Sequence, residues 1–575
     1  MALLEIDLRV IHMRELTRQG SGDTEAWPYG ITKLTLTLLS ILFSLPALAQ
    51  EAPPPEHLAP RQTKQLAMTR EIIQKALSIV ESSNEPWTAA LWADIAEARA
   101  RAGDIQGAVD VFRRFCNDNQ SLKGIAKAAA PYLLRRGATP QAFQALASST
   151  NGDARFIVFR ATIFAQVHTG EVAGAFDSLG QMSRAVARGQ TEQSGKRVEI
   201  SAEAQRETAL AMRTVAVALA QSGSLARATD VALEIKDNAL RVGALLPIGA
   251  AQLRAGDRRS AENTFKQAEE AIQGIADKAT QANVMVQLAK AQAQGKDTEA
   301  AFGTAEILHK RDTPFGSFYE NALSEIAFEQ AQLGDTTGAS KTAQRIETTH
   351  GRLAALERIA SLQLKNGNRE GALFTCQEGL QALSVAKSES REIVSQIARI
   401  AVIQSDAGDS EAASKSLERA AAMAASLKSA EAQFSALADV AVVLAQMGNI
   451  EPAERLDGRI PVDYWEEKGR ISSSIAQSEA QSNHPFEALG RMLSAECPQG
   501  NQRRPCLEKY DIGMAEVARA LTRSGNEKLA LSWAEGSSFS TAKAMGFLEI
   551  AKGLLDQISP PLAIWEEDKM SWDSY

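Results

Sequence analysis

The sequence predicts an all-α fold, a solenoid of about twelve helical hairpins, and three observations carry that expectation. Glycine, once replaced by asparagine, interrupts apolar runs of helical period at positions 103, 137, 170, 223, 256, 295, 334, 367, 408, 448, 483 and 525. Alanine stands five positions after every one of them, from Ala108 to Ala530. A small residue stands seven positions before most of them, the exceptions being Ile163 and Leu288. A tight turn between helices needs a residue at positive φ, which glycine adopts without a Cβ clash and asparagine tolerates. Small residues where the two helices cross let the backbones approach. Composition agrees: aromatics are only 5% of the chain while alanine is frequent, which suits close-packed helices rather than strands.

Taken in order, residues 1–49 read as a leader and secretory signal. A short apolar run over 34–45 follows Lys33, and Pro46 precedes Ala47-Leu48-Ala49, a small-x-small cleavage pattern. Cleavage after Ala49 would leave a periplasmic or secreted protein. The run is short for a membrane span, so no stable insertion is expected once it is removed; an uncleaved anchor is the other reading of the same residues. No cysteine stands directly after the run, which speaks against a lipid-anchored protein. Residues 50–62, with Pro53-Pro54-Pro55, read as a stiff extended linker.

Residues 63–183 hold the first repeats, opening on a helix over 63–82 expected to cap the stack. The unit is plainest over 91–115. Trp92, Ile95 and Ala96 share one helical face, and Ala108, Val111, Phe112 and Phe115 share another. Gly103 breaks the two, and Asp104 stands where a side chain accepts free N–H groups at a helix start. Residues 184–203 are polar and Gly-containing and read as an insert between two solenoid segments. Residues 204–557 carry the remaining repeats. Pro560-Pro561 ends the last helix, leaving a tail over 558–575 with Trp565, Trp572 and Tyr575 among acidic residues.

Turn spacings start near 34 residues (103 to 137), the period of the tetratricopeptide repeat, TPR. Trp92, Ala96, Gly103, Ala108 and Phe112 stand at that family's large, small, turn, small and aromatic positions. Gly249, Gly256, Ala261, Phe265 and Ala268 do so again. The chain resembles the family over roughly 89–555, most hairpins keeping the small residues and losing the aromatics. The resemblance implies a right-handed superhelix whose concave face is lined by first helices, and a protein or peptide partner.

Cys497 and Cys506 lie nine positions apart in a loop over 498–505 with two prolines and a glycine, and an exported protein would pair them. So short a closed loop would contribute roughly 2–3 kcal/mol. Cys116 and Cys376 fall on apolar faces and are expected to be inert core thiols. The six histidines share no i, i+4 spacing, no His–Cys cluster has zinc spacing, and no phosphate loop, dinucleotide fingerprint or nucleophile elbow occurs. No cofactor, metal or enzymatic activity is therefore expected. A net charge of −8 argues against nucleic acid as a general partner.

The resemblance places residues ten and two positions before each turn on the concave face. The first five repeats put Arg101, Lys127, Arg135, Arg160, Arg213 and Arg254 there, while later repeats put mostly small or neutral residues, with Glu357, Lys365, Asp406 and Arg523 the charged ones. A basic stripe inside an acidic protein suits an acidic peptide, a terminal carboxylate or an anionic envelope polymer. The plainer reading is a solvated face. The asparagines of the family's carboxylate clamp are missing. The expected function is a non-catalytic exported scaffold that binds a protein or peptide. The alternatives are an accessory module for cell-wall enzymology, resembling the helical ring of soluble lytic transglycosylases but with no room after 555 for their catalytic domain, and a structural envelope spacer.

Overall fold

Each hairpin starts from the same local chemistry. A first helix ends on a left-handed residue, and in several hairpins the next side chain caps the second helix. Gly103, Gly170, Gly223, Gly256, Gly334, Gly367, Gly408, Gly448 and Gly525 have φ between 72° and 99°, and Asn483 has φ 64°. The Asp104 carboxylate accepts from the Gly107 N–H at 3.0 Å, and Asp335, Asn368 and Asp409 do the same for their helices.

The computed structural model describes residues 60–83, 87–115, 118–135, 154–189, 201–310, 318–383, 390–494 and 497–558, all within one unit, Leu58–Tyr575. Among them are twenty-five α-helices and no strand. The chain opens on α1 (Pro60–Ser82). The first hairpin is α2 (Ala89–Arg101) with α3 (Ile105–Arg114). The first helix of the second is α4 (Asn119–Arg135); its partner falls outside the described residues. Then come α5 (Ala154–His168) with α6 (Val172–Gly189), α7 (Ala202–Gln221) with α8 (Leu225–Leu233), and α9 (Asn238–Arg254) with α10 (Arg258–Gln273). Next are α11 (Lys278–Gln294) with α12 (Thr298–Lys310), α13 (Phe318–Gln332) with α14 (Thr336–Gln344), and α15 (Thr349–Lys365) with α16 (Arg369–Ala382). The series continues through α17 (Arg391–Asp406) with α18 (Ser410–Ser426) and α19 (Ala430–Gln446) with α20 (Ile450–Asp457). It ends with α21 (Trp465–Gln481) and α22 (Pro485–Leu493), α23 (Arg503–Arg523) and α24 (Glu527–Gly536), and a last helix α25 (Ser540–Ile558).

The crossings are as tight as the small residues imply. Ala96, Ala108, Ala216, Ala228, Ala261, Ala327, Ala339, Ala360 and Ala372 are all fully buried. At Gly249 a Cβ would lie 2.7 Å from the Phe265 ring, closer than real contacts allow. One register differs from expectation. Gly295 has φ −77°, and the left-handed residue is Lys296, φ 66°. A Cβ at 295 would sit 2.2 Å from Leu253 Cδ1, so this glycine serves close approach rather than the turn. Counted from Lys296, the crossing residues become Ala289 and Ala301, both fully buried, and the exception at Leu288 disappears.

Other boundaries shift as well. The insert expected over 184–203 begins inside α6, which runs to Gly189, and α7 starts at Ala202. Long helices thus supply part of the 53-residue spacing between turns 170 and 223. The loop expected over 498–505 is shorter, because α23 starts at Arg503 and takes Pro505 into its first turn, where proline costs no hydrogen bond. The leader, the residues before Pro60 and the tail after Ile558 lie outside the described residues.

A polar bolt recurs inside the hairpins. The Ser178, Thr304, Thr342, Thr375 and Ser416 hydroxyls donate to the Gln166, Gln292, Gln330, Gln363 and Gln404 amide oxygens at 2.7–2.8 Å, always twelve residues apart. Each pair is buried, so each satisfies groups that would otherwise cost roughly 1–3 kcal/mol.

The layers close on themselves. First helices pack on one another in order, from α2 on α4 through to α23 on α25, and α25 packs back on α2. Second helices pack outside, against the first helices of their own and the following hairpin. Helix α1, expected as a cap, packs chiefly along α25 rather than α2. The two form a thirteenth hairpin whose halves come from opposite ends of the chain. Leu66, Ile73 and Leu77 of α1 and Phe547, Leu554 and Leu555 of α25 belong to one core with Trp92, Ile95 and Phe112.

Candidate partner-binding face

The inner layer of first helices is where the basic stripe was expected, and its charges fall into three groups. Arg101 is only 1% exposed. It bonds Asp556 Oδ1 of α25 at 2.8 Å and lies 3.4 Å from Glu97 Oε1. Arg519 and Arg523 converge on the same Asp556. Burial pushes the Asp556 carboxyl up, but Arg101, Arg519 and Arg523 outweigh it, and the net effect is below the ordinary 3.8. Arg160, 5% exposed, bonds Glu207 Oε2 at 3.0 Å, and Glu207 is itself only 1% exposed. Lys123 completes this knot, 3.2 Å from Glu207 and bonded to Glu203. Arg101 and Arg160 are thus structural ion-pair partners and not open ligand contacts, a correction to the six-residue stripe.

The second group remains on accessible surface. Lys127 and Arg213 are half-buried and Arg254 is exposed in the last turn of α9. The Arg213 stem lies over Gly243 of the neighbouring first helix, where a Cβ would come within 3.3 Å of its Cδ. Arg135 ends α4, and its side chain lies outside the described residues. The four successive first helices α4, α5, α7 and α9 carry nine basic residues (Lys123, Lys127, Arg135, Arg155, Arg160, Arg206, Arg213, Arg241 and Arg254) and only two acidic ones, Glu203 and Glu207.

The third group is a ladder that sequence reasoning missed. Glu325 of α13 takes Lys290 of α11 at 3.0 Å and Arg358 of α15 at 2.9 Å. Arg399 of α17 bonds Glu357 of α15 at 2.8 Å. Asp439 of α19 takes Arg391 of α17 at 3.0 Å and Arg470 of α21 at 2.7 Å. The signal was present: Glu325, Arg358, Arg399 and Asp439 each stand nine positions before their turn, one place from the position expected to face the groove. From α11 to α21 the inner face therefore neutralises itself.

Among the described residues the cysteines and histidines add no second centre. Cys497 and Cys506 form a disulfide with Cα atoms 5.8 Å apart, tying the end of α22 to the start of α23. Cys376 is buried, and burial with Glu357 nearby pushes its thiol up to about 12, which keeps it protonated and unreactive. Cys116 lies outside the described residues. His168 stacks on Phe164 with ring centres 4.0 Å apart, and His309 lies against Tyr319. Among the described residues no group of three His, Cys, Asp or Glu is placed to hold a metal ion, and no helix is long and apolar enough to cross a membrane.

The repeating hairpin, its left-handed turn and its buried small crossings decide the architecture. The chain is a TPR-like α-solenoid. No protein-family model matches it, and no curated protein does. Among solved structures it is similar to the apo quorum sensor NprR from B. thuringiensis, at 11% identity over 71% of this chain and 98% of that one, TM-score 0.23. It is also similar to a Rap protein complexed with Competence and Sporulation Factor, at 13% identity over 62% and 99% of the two chains, TM-score 0.24. The human IFIT1 dimer with m7Gppp-AAAA matches at 14% identity over 81% and 93%, TM-score 0.20. The architecture rests on this chain's own hairpins.

Proposed function

We propose that the protein is a non-catalytic exported scaffold that holds an acidic protein or peptide segment on its inner face, along α4, α5, α7 and α9. One observation carries this: nine basic residues against two acidic ones on four neighbouring first helices of a chain whose net charge is −8. Glu203 and Glu207 engage Lys123 and Arg160; Lys127 and Arg213 are half-buried and Arg254 is exposed. Guanidinium forks match carboxylates in geometry, and a repeat array offers extended ligands a long face. Export rests on the signal pattern ending at Ala49.

The test is pull-down from envelope extracts with Arg213→Glu/Arg254→Glu. Capture is expected to fall at least about tenfold and to lose most of its salt sensitivity. Lys266→Glu, on the outer helix α10, is the control. Capture unchanged by the double reversal removes this function.

The closed circuit of first helices favours one second reading, an accessory module for cell-wall enzymology that acts beside a catalytic partner. Co-sedimentation with purified peptidoglycan separates the two. Retention that survives the double reversal selects the cell-wall module, and no retention selects the protein scaffold.

A further inference from the structure

A ring of stacked hairpins can open only where a joint is not tethered. Twelve of the thirteen joints here are spanned by the chain itself. Where both sides of such a connection are described it is short: α10 ends at Gln273 and α11 begins at Lys278, so those helices cannot part by more than a few residues' reach. The thirteenth joint is different. It lies between α25 and the pair α1 and α2, and no covalent connection crosses it. Repeats in such arrays touch only their neighbours, so parting this joint leaves the other twelve stacked.

Beside the apolar core that α1 and α25 share with α2, polar contacts cross the seam. Gln65 Nε2 donates to Gln557 Oε1 at 2.8 Å and to the Leu554 carbonyl at 3.3 Å. Lys75 pairs with Glu535 of α24 at 2.9 Å on exposed surface. Lys552 of α25 bonds Asp94 of α2 at 3.0 Å, and Arg101 of α2 reaches Asp556 at 2.8 Å. Every one of these contacts joins the first hundred or so residues to the last forty or so. Exposed pairs like Lys75–Glu535 hold by only about 0–1 kcal/mol, and buried pairs recover much of their attraction by rehydrating when they part. Interior joints carry such pairs and a tether as well.

We propose that this seam is the side entrance to the ring. Helix α1 leaves α25 while the remaining hairpins stay stacked, which admits an extended polypeptide to the inner face without threading. The choice of a polypeptide rests on the function proposed above; the opening itself does not.

Hydrogen exchange on the full chain tests the opening without a partner. Most helical stability in a protein comes from packing an apolar face against neighbours, so α1 loses amide protection once it has left α25. Amides of α1 are therefore expected to exchange at least about tenfold faster than those of α9 and α10 under native conditions, as in other sub-global openings. Joining Gln65→Cys to Gln557→Cys with a short bismaleimide should bring α1 to the rate of α9 and α10, while Gln65→Cys treated alone should not. Asp556→Asn, which needs no cross-link, should speed exchange in α1 and leave α9 and α10 unchanged. Protection of α1 equal to that of α9 and α10, or α1 exchange indifferent to both the cross-link and Asp556→Asn, overturns the entrance. Capture unchanged by Arg213→Glu/Arg254→Glu, which removes the proposed function, would leave the opening standing.

Discussion

A single methyl group sets the spacing of each helical pair. Ala301 is fully buried at the crossing of α11 and α12, whereas its neighbour Ala300 is only half-buried. Ala301→Leu must push the helices apart or force a repack, at about 1–3 kcal/mol, while Ala300→Leu should stay within about 0.5 kcal/mol. Urea unfolding of the two variants checks the order; equal losses would mean the register is wrong. The alanine pattern was legible because a crossing tolerates so few residue types. Its slip at 295 was not, because glycine has two uses. At Gly223 or Gly256 it supplies positive φ, and at Gly295 it makes room for Leu253. Sequence shows the glycine and hides which neighbour needs the space.

Between elements, charge does what the small residues do within them. Asp439 joins three first helices, accepting from Arg391, Arg470 and Ser395. Burial alone would raise its carboxyl, but these donors outweigh burial and hold it below 3.8. Glu325 is likewise held below 4.5 against burial, by Lys290 and Arg358. Folding therefore favours the ionised forms. Their contribution is complete above the unfolded values of about 4 and is lost as pH falls through the lower folded ones. Asp439→Asn is expected to cost about 1–3 kcal/mol at pH 7, with the deficit against the parent protein shrinking below pH 3.8. Unfolding at pH 7, 5 and 3 reads both effects, and a deficit that does not change with pH would separate Asp439 from acid stability. The positions that the resemblance assigned to the concave face lie one place from the residues of the ion-pair ladder. The gap between nine and ten places before the turn is about 100° of rotation, enough to exchange a buried wedge for an open contact. That is why Arg160 proved to be a core ion pair.

At the scale of the molecule, the closure had no local sign. The pattern over 63–82 showed an amphipathic helix, but which surface it meets depends on the summed rotation of twelve hairpins, a quantity no single window contains. A repeat array ordinarily needs polar caps at both ends. Here the two uncapped ends cover each other, so Leu66, Ile73 and Leu77 dock where a further second helix would lie. Deleting residues 1–83 should then leave the interior hairpins helical but bare the apolar sides of α25 and α2, each large buried side chain being worth about 1.5–3 kcal/mol. The shortened chain is expected to keep most of its far-ultraviolet circular dichroism and to self-associate in sedimentation, with end meeting end in the head-to-tail manner of an unclosed ring. A peptide spanning 58–83, added in trans, should fill the vacant half-hairpin and return it to the association state of the full chain. A truncated chain that keeps that association state with an unchanged melting temperature would mean that the ends rest against each other without holding the ring shut.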